Sequence, residues 1–159
     1  MIVLNGLGSP FRLEIDALPQ LSLSAYPLGS QAHGDLQLMR ILIVDDHPMV
    51  LTGCQQIFTA QNGFDEVVGA ADIDAGLSTY LAMRPDVAIL DISLPGGSGF
   101  ELTKRILRHD PKARVVIFSM NNEKPFSVRA IRAGAKRFVS KCDDPRNLVD
   151  AVLEIGNAN

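Results

Sequence analysis

Val87-Ala88-Ile89-Leu90-Asp91-Ile92-Ser93-Leu94-Pro95-Gly96-Gly97-Ser98-Gly99 decides the fold. Its first four residues form an apolar run without a polar break, the pattern of a strand buried on both faces. The run ends in a carboxylate. The Pro-Gly-Gly-Ser-Gly loop that follows lets the backbone turn sharply and leaves the strand end accessible. An ionised Asp at the exit of a buried strand is costly unless it is hydrated, paired or bound to a metal. In an open parallel sheet that exit is also where ligands bind, so Asp91 is the first functional candidate.

The same unit recurs on both sides of this stretch. Ile41-Leu42-Ile43-Val44 is an unbroken apolar strand ending in Asp45-Asp46. His47-Pro48 opens a helix whose apolar stripe is Val50, Leu51, Cys54, Ile57 and Phe58, and Asn62-Gly63 stops it. Glu66 to Ala70 reads as a second strand and Asp74 to Met83 as a second helix. Downstream, Ser98 is placed to cap a helix that His109-Asp110-Pro111 ends. Val115-Val116-Ile117-Phe118 is a fourth strand running out at Ser119, and a fourth helix spans about Lys124 to Ala133 with Gly134 as its stop. Phe138-Val139-Ser140 is a short fifth strand ending at Lys141. Asp144-Pro145 opens a last helix that Gly156 closes. Five strands alternating with five helices predict an α/β fold, a parallel sheet covered on both faces.

Composition sets the frame. The 159 residues suffice for one domain with a real core, and 47% hydrophobic with 21% charged residues is an ordinary globular balance. A net charge of -3 gives no general case for a nucleic-acid surface or an anionic membrane. Two cysteines, Cys54 and Cys142, make neither a disulfide framework nor a zinc site, and free thiols fit a cytoplasmic protein. No run approaches the ~18 apolar residues of a membrane helix. The start of the chain lacks the basic region of a signal peptide.

Residues 1–38 differ from the rest, with Pro10, Pro19 and Pro27 spaced against any long helix and leucines that follow no sustained period. They read as an irregular extension ahead of a domain at 39–159. A mis-assigned start codon or cloning remnant, a flexible arm and a docking segment are the competing readings.

Parallel strands deliver their C-terminal ends to one edge, so Asp45, Asp46, Asp91, Ser119 and Lys141 are able to converge. Three neighbouring carboxylates repel one another unless a cation intervenes, and an oxygen-only donor set suits Mg²⁺. Ser119 offers a hydroxyl and Lys141 a mobile positive charge. Together these groups suit phosphoryl transfer to an aspartate.

Residues 40–155 resemble the receiver domain of two-component response regulators. The resemblance is carried by Ile43-Val44-Asp45-Asp46-His47-Pro48, Leu90-Asp91-Ile92-Ser93-Leu94-Pro95-Gly96, Phe118-Ser119 and Phe138-Val139-Ser140-Lys141. It implies a flavodoxin-like (βα)5 three-layer sandwich with strand order 2-1-3-4-5. It implies that Asp91 accepts phosphate and that Asp45, Asp46, Asp91 and the backbone carbonyl of Ser93 hold Mg²⁺ or Mn²⁺. Lys141 would pair with a phosphoryl oxygen, Ser119 would hydrogen-bond another, and Phe138 holds the aromatic switch position, where inward burial is easy. His47 reads as a helix-start residue rather than a ligand.

The implied function is a signalling switch phosphorylated by a sensor histidine kinase or a small phosphodonor. No enzymatic activity is expected beyond Mg²⁺-dependent self-phosphorylation and autodephosphorylation. A homodimer on phosphorylation, no membrane and no direct DNA contact by this chain are the partner expectations. Ser93 stands where an aspartyl-phosphate hydrolase wants a second acid, which disfavours that rival; the complete set of Asp45, Asp46, Asp91, Ser119 and Lys141 disfavours a mere scaffold. The start at Asp45-Asp46-His47-Pro48 and the Val128–Ala135 stretch look most like the NarL/FixJ branch, whose members usually carry a helix-turn-helix domain after the receiver. The chain stops at Asn159, so a single-domain receiver and a chain cut at the linker both fit, the cut being preferred. One departure stands out: many receivers follow the lysine with a cis proline, whereas Cys142 follows Lys141 and predicts a trans bond.

Starting the chain at Met39 should leave the melting temperature nearly unchanged, because no periodic buried face is removed. A large loss of stability would mean that the extension packs on the domain.

Overall fold

The computed structural model describes residues 38–121 and 123–158. The reading of residues 1–38 as an extension therefore falls, apart from Leu38, outside the described residues. In chain order the elements are β1 (Met39–Val44), α1 (Pro48–Thr59), β2 (Phe64–Ala70), α2 (Ile73–Met83), β3 (Val87–Leu90), β4 (Ser93–Leu94) and β5 (Gly97–Ser98). They continue as α3 (Gly99–His109), β6 (Val115–Ser119), α4 (Lys124–Ala133), β7 (Arg137–Ser140) and α5 (Pro145–Gly156).

The main sheet has the order β2-β1-β3-β6-β7, every neighbouring pair parallel. This is the order expected, with β6 and β7 as the fourth and fifth long strands. Alternation along the strands divides the core in two. Leu42, Val44, Ala88, Leu90, Val115 and Ile117 face α2, α3 and α4, meeting Tyr80, Leu102, Ile106 and Ala130. Ile41, Ile43, Val87, Ile89 and Val116 face α1 and α5, meeting Phe58, Leu148 and Val152. Each fully buried Val, Leu, Ile or Phe among these contributes roughly 1.5–3 kcal/mol by leaving water, which is why Ile41–Val44 of β1 and Val87–Leu90 of β3 carry no polar residue.

The helix starts follow local chemistry. Ser98 Oγ accepts from Glu101 N at 3.3 Å, the predicted cap of α3. Asp72 rather than Asp74 starts α2, because its carboxylate accepts from Ala75 N at 2.8 Å, so the helix begins at Ile73. β2 begins two residues earlier than predicted, at Phe64, whose ring meets Phe58 edge-on at 4.9 Å. Tyr80 Oη donates to Asp110 Oδ2 at 2.8 Å and ties α2 to the end of α3. Burial and this acceptor push the phenol pKa up. Among the described residues no peptide bond is cis, and Lys141–Cys142 is trans as predicted.

The loop behind Asp91 differs from expectation. It is a two-stranded antiparallel hairpin, β4 with β5, turning at Pro95-Gly96. Gly96 and Gly97 take φ of 85° and 156°, which side chains rarely adopt, and the glycine pair thereby folds the loop into a ladder. Gly99 has a separate reason. A Cβ built there would stand 2.0 Å from the carbonyl oxygen of Asp91, and Gly99 N donates to Ile92 O at 2.9 Å. The start of α3 thus abuts the backbone of the candidate acceptor.

Gly99→Ala should destabilise the domain by about 3 kcal/mol, since backbone must move by about 1 Å to admit the methyl group. Urea unfolding checks this; unchanged stability would show that α3 shifts freely away from Asp91.

Candidate functional site

Each site residue sits where a strand runs out. Asp45 follows β1, its N–H donating to Ala70 O at 3.0 Å, and Asp91 follows β3, its N–H donating to Val44 O at 2.9 Å. Ser119 is the last residue of β6, and Lys141 follows β7 with its N–H on Ser119 O at 2.8 Å. The ladder bonds therefore continue one residue past the strands and bring these four to one edge.

The centre is an ion-pair triad. Lys141 Nζ lies 2.5 Å from Asp45 Oδ2 and 2.8 Å from Asp91 Oδ1, and all three side chains are almost fully buried. Burial disfavours the ammonium charge, but the two carboxylates outweigh it and push the lysine pKa up. Lys141 is thus the cation that relieves the carboxylate repulsion. Its Nζ also stands 5.7 Å from the centre of the Phe118 ring. The second oxygen of Asp91 accepts from Ser93 N at 2.7 Å, so both of its oxygens are engaged.

The remaining residues lie round this triad. Asp46 is about a third exposed and faces His47, whose Nδ1 is 2.8 Å from Asp46 Oδ1 and 3.1 Å from Asp45 Oδ1. His47 N also donates to Asp45 Oδ1 at 2.9 Å. His47 does stand at the start of α1, as expected, yet its side chain caps nothing and turns to the carboxylates instead. Sequence reasoning missed that contact. The only available signal was the adjacency of an imidazole to two acids. Ser119 is buried, and its Oγ accepts from Asn121 N at 3.2 Å rather than reaching Asp91 or Lys141. Phe138 is half-buried and packs on the core beneath α4. Ser93 is exposed and meets Asp91 through its N–H.

Asp45, Asp46 and His47 each bring a donor atom within 4.8 Å of the others, a group able to hold a metal ion; Asp91 stands outside that group, held by Lys141. Carboxylate oxygens beside one edge fit a small divalent cation that prefers oxygen and keeps part of its water. Among the described residues no helix is long and apolar enough to cross a membrane.

The two thiols occupy opposite environments. Cys54 is buried under the α1 face of the sheet, and burial, helped by the charge of Asp45, pushes its pKa up to about 11. Cys142 is exposed beside Lys141. At pH 8 iodoacetamide should add one group per folded chain, at Cys142, and two after denaturation, read by peptide mass. The folded thiol keeps its proton where an unfolded one has lost it, so this contribution to stability is full below pH 9 and falls as pH rises through about 11.

Comparison with known proteins gives the family and the fold. The family model of the response regulator receiver domain matches residues 41–153. The response regulator GacA of Pseudomonas aeruginosa is 33% identical over 119 residues, which are 74% of this chain and 55% of that protein. The nitrate/nitrite response regulator protein NarL of Escherichia coli K12 is 30% identical over 70% of this chain and 52% of its own length. The chain therefore spans about half the length of these curated relatives. The CheX–CheY–BeF3–Mg²⁺ complex of Borrelia burgdorferi contains a similar fold, with a TM-score of 0.69 and 28% identity over 74% of this chain and 88% of that one. With a parallel sheet of matching order and an acidic edge, the chain belongs to the response regulator receiver domains of two-component systems, of the type found in NarL and GacA.

Proposed function

We propose that this receiver is a phosphorylation-activated switch in which Asp91 takes a phosphoryl group from a sensor histidine kinase or a small phosphodonor. The observation that carries this reading is the buried contact of Lys141 with Asp45 and Asp91. An ammonium held between two carboxylates is already where it would meet a phosphoryl oxygen on Asp91. The carboxylate attacks phosphorus, the donor's leaving group departs with the bond electrons, and an acyl phosphate remains. Lys141 offsets part of the added charge, which a hydrated surface could not do as strongly.

The divalent cation, Mg²⁺ or Mn²⁺, would be held by Asp46, Asp91 and the Ser93 carbonyl, with Asp45 contributing through water. Its chemistry is to neutralise charge on the phosphoryl oxygens. Ser119 would leave the Asn121 N–H and donate to the phosphoryl group, and Phe138 would follow by moving further into the core under α4. A hydrogen bond to a charged oxygen is worth about 1.5–3 kcal/mol, available only after phosphorylation, so it biases the Ser119 loop towards one arrangement. The surface formed by α4, β7 and α5 would then present a changed face to a partner or a second copy.

Asp91→Asn should abolish the mass increase of one phosphoryl group that acetyl phosphate and Mg²⁺ give the parent, with the fold unchanged. Asp46→Asn should weaken Mg²⁺ binding and slow phosphorylation. Ser119→Ala should accept phosphate at Asp91 yet show a weaker change in amide exchange over α4, β7 and α5. A Ser119→Ala protein that responds as fully as an equally phosphorylated parent would remove Ser119 as the coupling residue.

A further inference from the structure

A groove of about 340 Å³ lies between α3 and α4, and none of its lining residues belongs to the acidic edge. Small-molecule sites have volumes of about 300–1,000 Å³, so the groove is large enough for one. Four charged side chains line it. Glu101 and Lys104, three residues apart, share one face of α3, and Arg129 and Arg132, at the same spacing, share one face of α4. Three positive charges thus meet one carboxylate, on a chain whose net charge is -3. Other arginines are matched to an acid, Arg105 to Asp74, Arg137 to Glu154 and Arg146 to Asp144. Among the described residues Lys104, Arg129 and Arg132 form no ion pair, although Glu101 lines the same groove. Glu101 instead lays Oε2 against Gly97, 2.8 Å from where a Cβ would stand, a place open only because that residue has none. Arg129 is steadied by the Phe100 ring, whose centre is 4.6 Å from the guanidinium carbon.

We propose that the α3–α4 groove binds a small phosphorylated molecule, whose phosphate or diphosphate group is held by Lys104, Arg129 and Arg132. A guanidinium offers a planar fork of N–H donors that fits phosphate oxygens two at a time, and an ammonium adds a point charge. The choice of phosphate over carboxylate follows from the donor set. A carboxylate has two oxygens in one plane, which one guanidinium saturates. A phosphate monoester presents three charged oxygens spread tetrahedrally, which suits cations supplied by two helices, and the rest of the groove leaves room for the remainder of the molecule. Such a ligand would bridge α4 to α3, whose first residue, Gly99, abuts the carbonyl of Asp91. It is reversible binding and needs no phosphoryl transfer, so the inference stands apart from the reading of Asp91 as acceptor.

The test titrates the full chain with sodium pyrophosphate, followed by calorimetry and by amide ¹H–¹⁵N shifts. Divalent ions are stripped from the buffer so that the acidic edge cannot hold the probe through a metal, and ionic strength is kept constant. Citrate, a carboxylate anion of comparable charge, is titrated in parallel. Lys104→Gln on α3 and Arg132→Gln on α4 remove exposed cations without disturbing the Arg129–Phe100 contact, and Arg108→Gln removes an exposed α3 cation outside the groove. The expected result is saturable binding of one pyrophosphate, with shifts in residues 98–104 and 129–133. Affinity should fall at least about tenfold in Lys104→Gln and in Arg132→Gln and change less than about twofold in Arg108→Gln, and citrate should bind at least about tenfold more weakly. Absence of saturable binding, shifts confined to other residues, or unchanged affinity in either groove variant overturns the proposal. An equal loss in Arg108→Gln overturns it in favour of diffuse surface charge, and citrate binding as tightly as pyrophosphate overturns the assignment to phosphate.

Discussion

The structure depends on one electrostatic compensation, the ammonium of Lys141 between the buried carboxylates of Asp45 and Asp91. Two acids at the mouth of an apolar sheet would each be penalised by lost hydration, and each would raise the cost of the other. Removing one partner from such a buried arrangement typically costs 3–5 kcal/mol, because a charge is left uncompensated. Asp45 and Lys141 are 96 residues apart in sequence, so this contact joins the end of β1 to the end of β7, the first and last strands in chain order. The charge centre and the fold are consequently one design. The strands must end in register for the triad to form, and the triad makes that register electrically tolerable.

Much of the architecture was legible because the central strands β1, β3 and β6 each end as an apolar run stopped by a polar residue. Val44-Asp45, Leu90-Asp91, Phe118-Ser119 and Ser140-Lys141 mark both the strand ends and the edge on which they meet. What was not legible depends on short-range geometry that residue type does not encode. The Pro95-Gly96 turn signals a loop but does not reveal that Ser93 and Ser98 pair across it. Asp72 and Asp74 are equally good caps on paper, and only the backbone decides that Asp72 reaches Ala75 N. The direction of an imidazole is similarly undetermined by its neighbours, which is why His47 reads as a simple helix opener. Ser119 was found by its place at a strand end, yet its hydroxyl is engaged within its own turn.

The two faces of the sheet serve the edge differently. The α2, α3 and α4 face is tied laterally by the Tyr80–Asp110 hydrogen bond and the Arg129 guanidinium 4.6 Å above Phe100. The α1 and α5 face is held mainly by apolar packing of Phe58, Leu148 and Val152. Polar ties fix direction, whereas apolar contact tolerates sliding. Phe138, half-buried on the first of these faces, therefore sits among neighbours whose orientation is set, with its own burial still incomplete.

The contact of Gly99 with the carbonyl of Asp91 gives the edge a mechanical asymmetry. Backbone set against backbone has no rotamer to yield, so the β3 end and the start of α3 move only as one body. On the opposite flank, the Ser119 hydroxyl is retained by a single 3.2 Å bond to its own turn. A load applied at Asp91 therefore meets an abutment on one side and a compliant member on the other. A residue with no side chain thus makes one flank of the edge stiffer than the other.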